Sequence, residues 1–465
     1  MNLSQPLQTT VRLDAFVAEH DDTHFLHLHH ATPDWLANAS ALRRHALRRG
    51  TPHPEPGLAS SPRQHQAHLR TLNAQYWTAQ NQVDRLLADL KDVDAFAAPL
   101  LTAAIKDQVG LTLDVKNTFV RLYIPVTNPW FGFSTGAQRI WSVSLLDAAL
   151  HNFERHETEA DAFDPDSCFI TRPDEYAQFE TLPDITRTLS IPDFIKLCRT
   201  LDIGAQYQQH LQHQLGVTRP DVAATLRLHV ETSQKAALKS ALLYARMNND
   251  IQEDLFRLIS GLIDGLQGMR LDGEPLRSQS LSLLSSELHG IIVFAPDLNS
   301  SEHASRVVVY VPNDPEHPIK EYASSVAFST ELTRQLRESD YQDFFSRFIA
   351  HSERGRFFST LKARLTQIQF YPHERGDPKP AWREVAVEKP DLQFRAQIIQ
   401  ASLWQQQFED ALNKILNDGP SLAVPTASVD QQARWAFWDS LVNIASSLLN
   451  VAAFVAMPFV PFLGE

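Results

Sequence analysis

Cysteine is nearly absent: Cys168 and Cys198 are the two in 465 residues. One pair makes no disulfide framework and leaves too few thiolates for a four-cysteine zinc site. An excess of positive charge is missing as well. Asp and Glu number 55 against 42 Lys and Arg, a formal net charge of −13. That argues against nucleic acid as a partner, because phosphate binding needs a cationic surface. Neither of the glycine-rich phosphate cradles, G-x-x-x-x-G-K-[ST] or G-x-G-x-x-G, occurs, and no repeat of fixed period is visible. Residues 1–16 have neither a basic n-region nor an apolar h-region, so export through a classical signal peptide is not expected. With 43% hydrophobic and 21% charged residues, general disorder is excluded.

What the chain does have is histidine. Protonating all 19 moves the formal charge from −13 to +6, within the pH range where an unperturbed imidazole titrates. Such a reversal suits an acid-triggered approach to an anionic membrane. Five histidines cluster near the start, and His24, His27, His29 and His30 are the candidate pH-sensing residues. His20 and His24 have the i, i+4 spacing of a metal pair, but no carboxylate-bearing motif accompanies them, so no metal site is assigned. Cys198, among Phe194, Leu197 and Leu201, reads as a buried inert thiol. The short acidic pairs Asp92-x-Asp94 and Asp164-x-Asp166 are too common to assign a cation. No catalytic residue and no cofactor is expected.

The pattern predicts a mainly α fold with small antiparallel β inserts (α+β), a large helical multi-layer module. Four stretches are expected: a leading segment and linker over 1–66, a mainly helical domain with a β-hairpin over 67–285, an α+β segment over 286–400, and C-terminal helices with an apolar tail over 401–465. Arg43, Arg44, Arg48 and Arg49 make a basic stretch, most simply a solvated helix face. Helix is predicted over 68–90, 142–156, from Pro192 after a Ser190 cap, over 235–266, 329–337, 341–365 and 403–416. Strand pairs are predicted within 111–126, turning at Lys116-Asn117, between 290–295 and 306–311, and between 368–371 and 384–387.

The C-terminus stands apart. Residues 441–464 carry no charge, and 451–463 hold no strongly polar side chain. Thirteen helical residues extend only ~20 Å, short of a ~30 Å hydrocarbon core, and Pro458 and Pro461 interrupt the run. One arm of a hairpin fits better than a single span, with the chain continuing past Glu465. Leu448, Leu449, Val451, Phe454, Val455, Phe459, Val460 and Phe462 are the candidate membrane-insertion residues.

Several stretches together are similar to the dermonecrotic toxin N-terminal domain family, found at the front of large multidomain toxins and effectors of pseudomonads. They are 144–154 (SLLDAALHNFE), 194–204 (FIKLCRTLDIG), 207–211 (YQQHL), 309–322 (VYVPNDPEHPIKEY), 341–348 (YQDFFSRF) and 423–426 (AVPT) with Asp430. Within them Leu150 and Phe153 fit core positions and Gly204 fits a helix cap. The resemblance implies a non-catalytic module for host-cell binding, uptake or translocation, with activity carried by payload domains downstream. It implies a host membrane or host surface receptor as partner, and secretion or delivery into a host cell. A second implied role is the N-terminal scaffold of an intracellular effector of the leucine-rich-repeat ubiquitin-ligase type. Neither that repeat nor a Cys-x-Asp ligase signature lies in this sequence.

Overall fold

The computed structural model describes residues 62–127, 134–159, 161–299, 306–372, 382–400 and 402–429. His24, His27, His29 and His30, the basic stretch 43–49 and the apolar residues 441–463 lie outside the described residues.

The chain enters through α1 (Arg63–Leu86), whose buried face carries Leu69, Leu72, Tyr76, Trp77 and Val83. Helix α2 (Val93–Val109) starts where the Asp92 carboxylate accepts the Ala95 N–H at 2.7 Å and stops at Gly110, φ 72°. A three-stranded antiparallel sheet follows, from β1 (Thr118–Thr127), β2 (Ser134–Ser144) and β3 (Cys168–Thr171), in the order β2-β1-β3. Around it lie α3 (Leu145–His151), α4 (Pro183–Thr188), α5 (Ile191–Leu201) and α6 (Ile203–Gln214). Their first core gathers Ile105, Val120, Leu122, Phe153, Phe169, Phe194 and Tyr207. The long α7 (Pro220–Met247) returns along α1, with Ala236 and Ala237 taking the rings of Tyr76 and Trp77.

The second half is built on a sheet. After α8 (Glu253–Ile263) come the short β4 (Arg270–Leu271) and β5 (Glu274–Pro275), then β6 (Arg277–Leu283), β7 (Ser286–Ala295), β8 (Val307–Tyr310) and β9 (Ile319–Tyr322). Next are α9 (Ser325–Gln335), α10 (Ser339–Phe345), two 3₁₀ turns at Ser346–Phe348 and His351–Glu353, and α11 (Arg354–Leu365). The last elements are β10 (Thr366–Phe370), β11 (Trp382–Ala386), β12 (Arg395–Ile398), α12 (Leu403–Leu422) and α13 (Thr426–Val429). The five-stranded sheet runs β12-β6-β7-β8-β9, all antiparallel, and β10-β11 forms a separate hairpin. Period-2 alternation buries both faces of the larger sheet. Val293, Ala295, Val307 and Val309 share a core with Phe328, Phe345 and Phe357 of the helices that follow. Ile292, Phe294, Val308 and Tyr310 share another with Leu238, Leu242, Leu255 and Ile259 of α7 and α8. At Gly290, φ 89°, the β6–β7 register shifts, so Leu288 and Ile291 end in the same core despite their odd spacing.

The mainly α expectation with small antiparallel β inserts is what the structure has, though several boundaries differ. Lys116-Asn117 is not a hairpin turn: the Asp114 carboxylate accepts both of their N–H groups, closing an Asx turn before a single strand. The partner of that strand is β2, so residues 142–144 finish a strand, and the helix predicted from 142 begins at Leu145 on a Ser144 cap. The 235–266 signal divides into α7 and α8 at Asn249, φ 62°. Helix α12 runs through Gly419-Pro420 to Leu422. There Pro420 has no N–H to give the Leu416 carbonyl, so the last turn forgoes one helical hydrogen bond. Gly204 is no cap; it lies inside α6. Among the described residues no helix is long and apolar enough to cross a membrane.

Candidate functional site

Helix α12 joins the two halves. Phe408 and Ile415 enter the first core, Trp404 packs against the sheet-side core, and Asp418 and Gly419 are buried. Gly419 is small because Leu211 of α6 needs its space: a Cβ there would meet Leu211 Cδ1 at 2.8 Å.

Beyond α12 the chain becomes a strap over 423–426, seated in a cradle made by two helix ends. The Val424 N–H donates to the Leu150 carbonyl at 2.8 Å. Asn152, which ends α3 with φ 60°, donates from Nδ2 to the Val424 carbonyl and to Thr426 Oγ1, at 3.1 and 2.9 Å. Asp202, in the left-handed region between α5 and α6, accepts the Thr426 N–H at 2.9 Å, and Thr426 Oγ1 donates to the Arg199 carbonyl. The Arg199 guanidinium donates in turn to the Phe153 carbonyl. Gly204 floors the cradle: a Cβ would stand 2.3 Å from the Val424 carbonyl carbon, closer than any side chain can approach. Three stretches singled out in the sequence, 144–154, 194–204 and 423–426, therefore meet at one place across more than 200 residues of chain.

Two further stretches, 309–322 and 341–348, also join each other. Asp314, buried, accepts the Tyr341 hydroxyl at 2.6 Å and the N–H groups of Glu316 and His317 at 2.9 Å. That carboxylate fixes the loop after β8 to α10.

On its sheet side α12 carries charge into low dielectric. Lys414 Nζ meets Asp418 Oδ2 at 2.6 Å, with the two side chains 13% and 3% exposed. The other Asp418 oxygen accepts the His351 N–H at 2.7 Å, and buried Arg354 lies within its electrostatic reach. His289 on β7 faces Lys414, Asp418 and Glu353; His351 faces Arg354, Asp418 and Lys414. The Nδ1 atoms of both imidazoles are buried and have no hydrogen-bond partner. Loss of water, with the nearby cations, lowers each pKa to about 4. Desolvation also lowers the pKa of Lys414, against the opposing pull of Asp418. At the margin, partial desolvation and neighbouring carboxylates raise those of Glu287 and Asp410.

The residues weighed for chemistry have structural duties. Asp92 caps α2, Asp94 pairs with Lys116 at 2.8 Å, and Asp164 accepts the Asp166 N–H in a local turn. Cys198 is fully enclosed, and burial pushes its thiol up. Gly132 to Gly136 spells G-x-S-x-G, the pattern of a nucleophile elbow. Its context is wrong for one, because Ser134 opens an antiparallel strand instead of a strand-to-helix turn. The buried cluster around Asp418 is not legible in the sequence: its members lie on four elements, and only the i, i+4 spacing of Lys414 and Asp418 hints at it.

Residues 87–352 match the family described as dermonecrotic toxin, N-terminal domain. That is more than half of the chain. The protein belongs to the dermonecrotic toxin N-terminal domain family. No curated protein matches the sequence. Family membership makes this a toxin N-terminal module, in a setting of secretion or delivery to a host. The matched span includes the cradle residues Leu150, Asn152, Asp202 and Gly204, with His289 and His351, while α12 and the strap follow it.

Proposed function

We propose that this dermonecrotic toxin N-terminal module is a non-catalytic delivery device. It approaches a host membrane or surface receptor and, in acid, loosens α12 so that the apolar segment after it can engage lipid and carry payload domains onward. The observation that carries this reading is the pair of imidazoles, His289 and His351, with unpartnered buried Nδ1 atoms beside Lys414 and Arg354.

The sign follows from linkage. An unfolded histidine titrates near ~6.5, and these two titrate at about 4 in the fold. Their contribution is therefore fully present above ~6.5 and is lost as pH falls from there toward 4. By pH 5 each costs on the order of 2 kcal/mol, from 1.36 kcal/mol per pKa unit. Once charged, they stand with Lys414 and Arg354 against Asp418 and Glu353, an excess of cations where water is scarce. Glu287 and Asp410, whose pKa values are raised, oppose the trend because folding favours their protonated forms. The absence of a catalytic role is supported by the signature residues themselves, since Asn152, Asp202, Gly204, Asp314 and Tyr341 are spent on holding the chain.

Liposome flotation of the full chain at pH 7.5 and pH 5.0 tests the proposal. A gain in the floated fraction at pH 5.0, lost in His289→Gln/His351→Gln, is expected. Equal flotation at both pH values contradicts it and favours the scaffold of an intracellular effector.

A further inference from the structure

Within the stretch 207–211 (YQQHL), Leu211 fills the space beside Gly419 of α12. Tyr207 and His210 serve a different neighbour. They stand three apart on α6 and so share a face. Both reach the backbone of Lys91, in the turn between α1 and α2. The Lys91 N–H donates to His210 Nε2 at 3.1 Å, and the Tyr207 hydroxyl donates to the Lys91 carbonyl at 3.3 Å. The ring of Phe96, near the start of α2, lies 4.9 Å from the His210 ring and 5.3 Å from that of Tyr207. One residue of an exposed turn is thus gripped at both of its polar backbone groups.

The two grips respond differently to a proton. An imidazole nitrogen accepts a hydrogen bond only while it carries no hydrogen, and in the charged ring both nitrogens are donors. The Lys91 N–H and a protonated Nε2 would then be two donors face to face. Tyr207 is enclosed, and burial with the nearby Asp92 carboxylate pushes its phenol up, so its hydroxyl donates throughout the acidic range. His210 is half-buried, and the charges that face it come from the turn and from α6. Loss of water, Lys91 and His213 disfavour its cation, Asp89 favours it, and the net direction is a lowered pKa. The ring of Phe96 pulls the other way, since an aromatic face attracts a cation, but it offers the Lys91 N–H no acceptor.

We infer that Tyr207 and His210 form a clasp released by a proton: the neutral His210 ring holds the turn between α1 and α2 on α6, and protonation lets that turn go. An unfolded imidazole titrates near ~6.5 and this one lower, so the clasp is fully closed above ~6.5 and opens as pH falls through the folded value. The device is local. Leu87 and Val93, on either side of the turn, belong to the first core, so opening frees the backbone of 88–92 and leaves α2 folded. The clasp shares no residue with the cluster around Asp418 and does not rest on the delivery reading.

Hydrogen–deuterium exchange of the full chain at pH 7.5 and 5.0, corrected for intrinsic exchange and read over 88–92, tests it. The Lys91 amide should exchange about tenfold faster at pH 5.0, the scale of one hydrogen bond, while α6 keeps its protection. In His210→Phe, which keeps a ring beside Phe96 but has no acceptor, exchange should be fast at both pH values. In His210→Gln, whose amide oxygen accepts a hydrogen bond without titrating, it should not change with pH. His289→Gln/His351→Gln should leave the parent's step at Lys91 in place, which separates the clasp from any movement of α12. A parent without the step, a step that persists in either His210 variant or vanishes in the double variant, or a loss of protection that runs through α6 would each overturn the inference.

Discussion

On its way out of the described fold, α12 and the strap after it are fastened to two regions by different means. Toward the helical region, the strap is tied by amides, carbonyls and a hydroxyl around Asn152, Thr426 and Asp202, over a glycine that admits backbone and nothing more. Toward the sheet region, the preceding turns are held by Lys414 and Asp418 amid Arg354, His289 and His351. The first fastening depends on shape and short-range hydrogen bonds. The second depends on a balance of charges that a proton can upset. The comparison teaches where an acid-sensitive hinge would act: on the sheet side of α12, with the strap as the fixed end.

The largest effect should come from unbalancing the charged side. Asp418→Ala leaves Lys414 and Arg354 buried without their shared carboxylate, at a cost of about 3–5 kcal/mol read by denaturant unfolding. A smaller but local effect is expected at the strap. Gly204→Ala puts a methyl group into the Val424 backbone, and about 2–3 kcal/mol of overpacking strain should lift the strap. Limited proteolysis should then cut within 422–429 while α5 and α6 stay intact. If cleavage spreads through α6 instead, the strap is not separable from its cradle.

His289→Gln sharpens the contrast through pH. Between pH 7.5 and 5.0 the parent should lose roughly 2 kcal/mol more stability than the variant, because the variant lacks the group whose folded pKa is depressed. Tyr341→Phe, which leaves buried Asp314 one donor short, should cost about 1.5–3 kcal/mol, with the same loss at both pH values. A pH-dependent loss there would blur the distinction between the two sides.

Legibility followed locality. The Ser190 cap and Pro192 start, the β7–β8 pair and the β10–β11 hairpin could be read from sequence because caps, β-branched runs and turns act over a few residues. Strand β6 was not legible: Ser278, Ser280 and Ser282 alternate with its leucines, and burial between two neighbours, not composition, makes it a strand. Gly204 shows the same limit more sharply. Its local sequence suggests a cap, and only Val424, 220 residues away, explains it. The buried cluster is a product of tertiary structure altogether, since β7, the turn at His351–Glu353, α11 and α12 each supply part of it.

Hydrogen–deuterium exchange on the intact chain at pH 7.5 and 5.0, corrected for the intrinsic pH dependence of amide exchange, puts the switch itself on trial. Protection should fall in acid along α12 and the turn at His351–Glu353, remain in α5 and α6, and be restored by His289→Gln/His351→Gln. Protection that stays constant in α12, or declines evenly across both regions, would contradict the account.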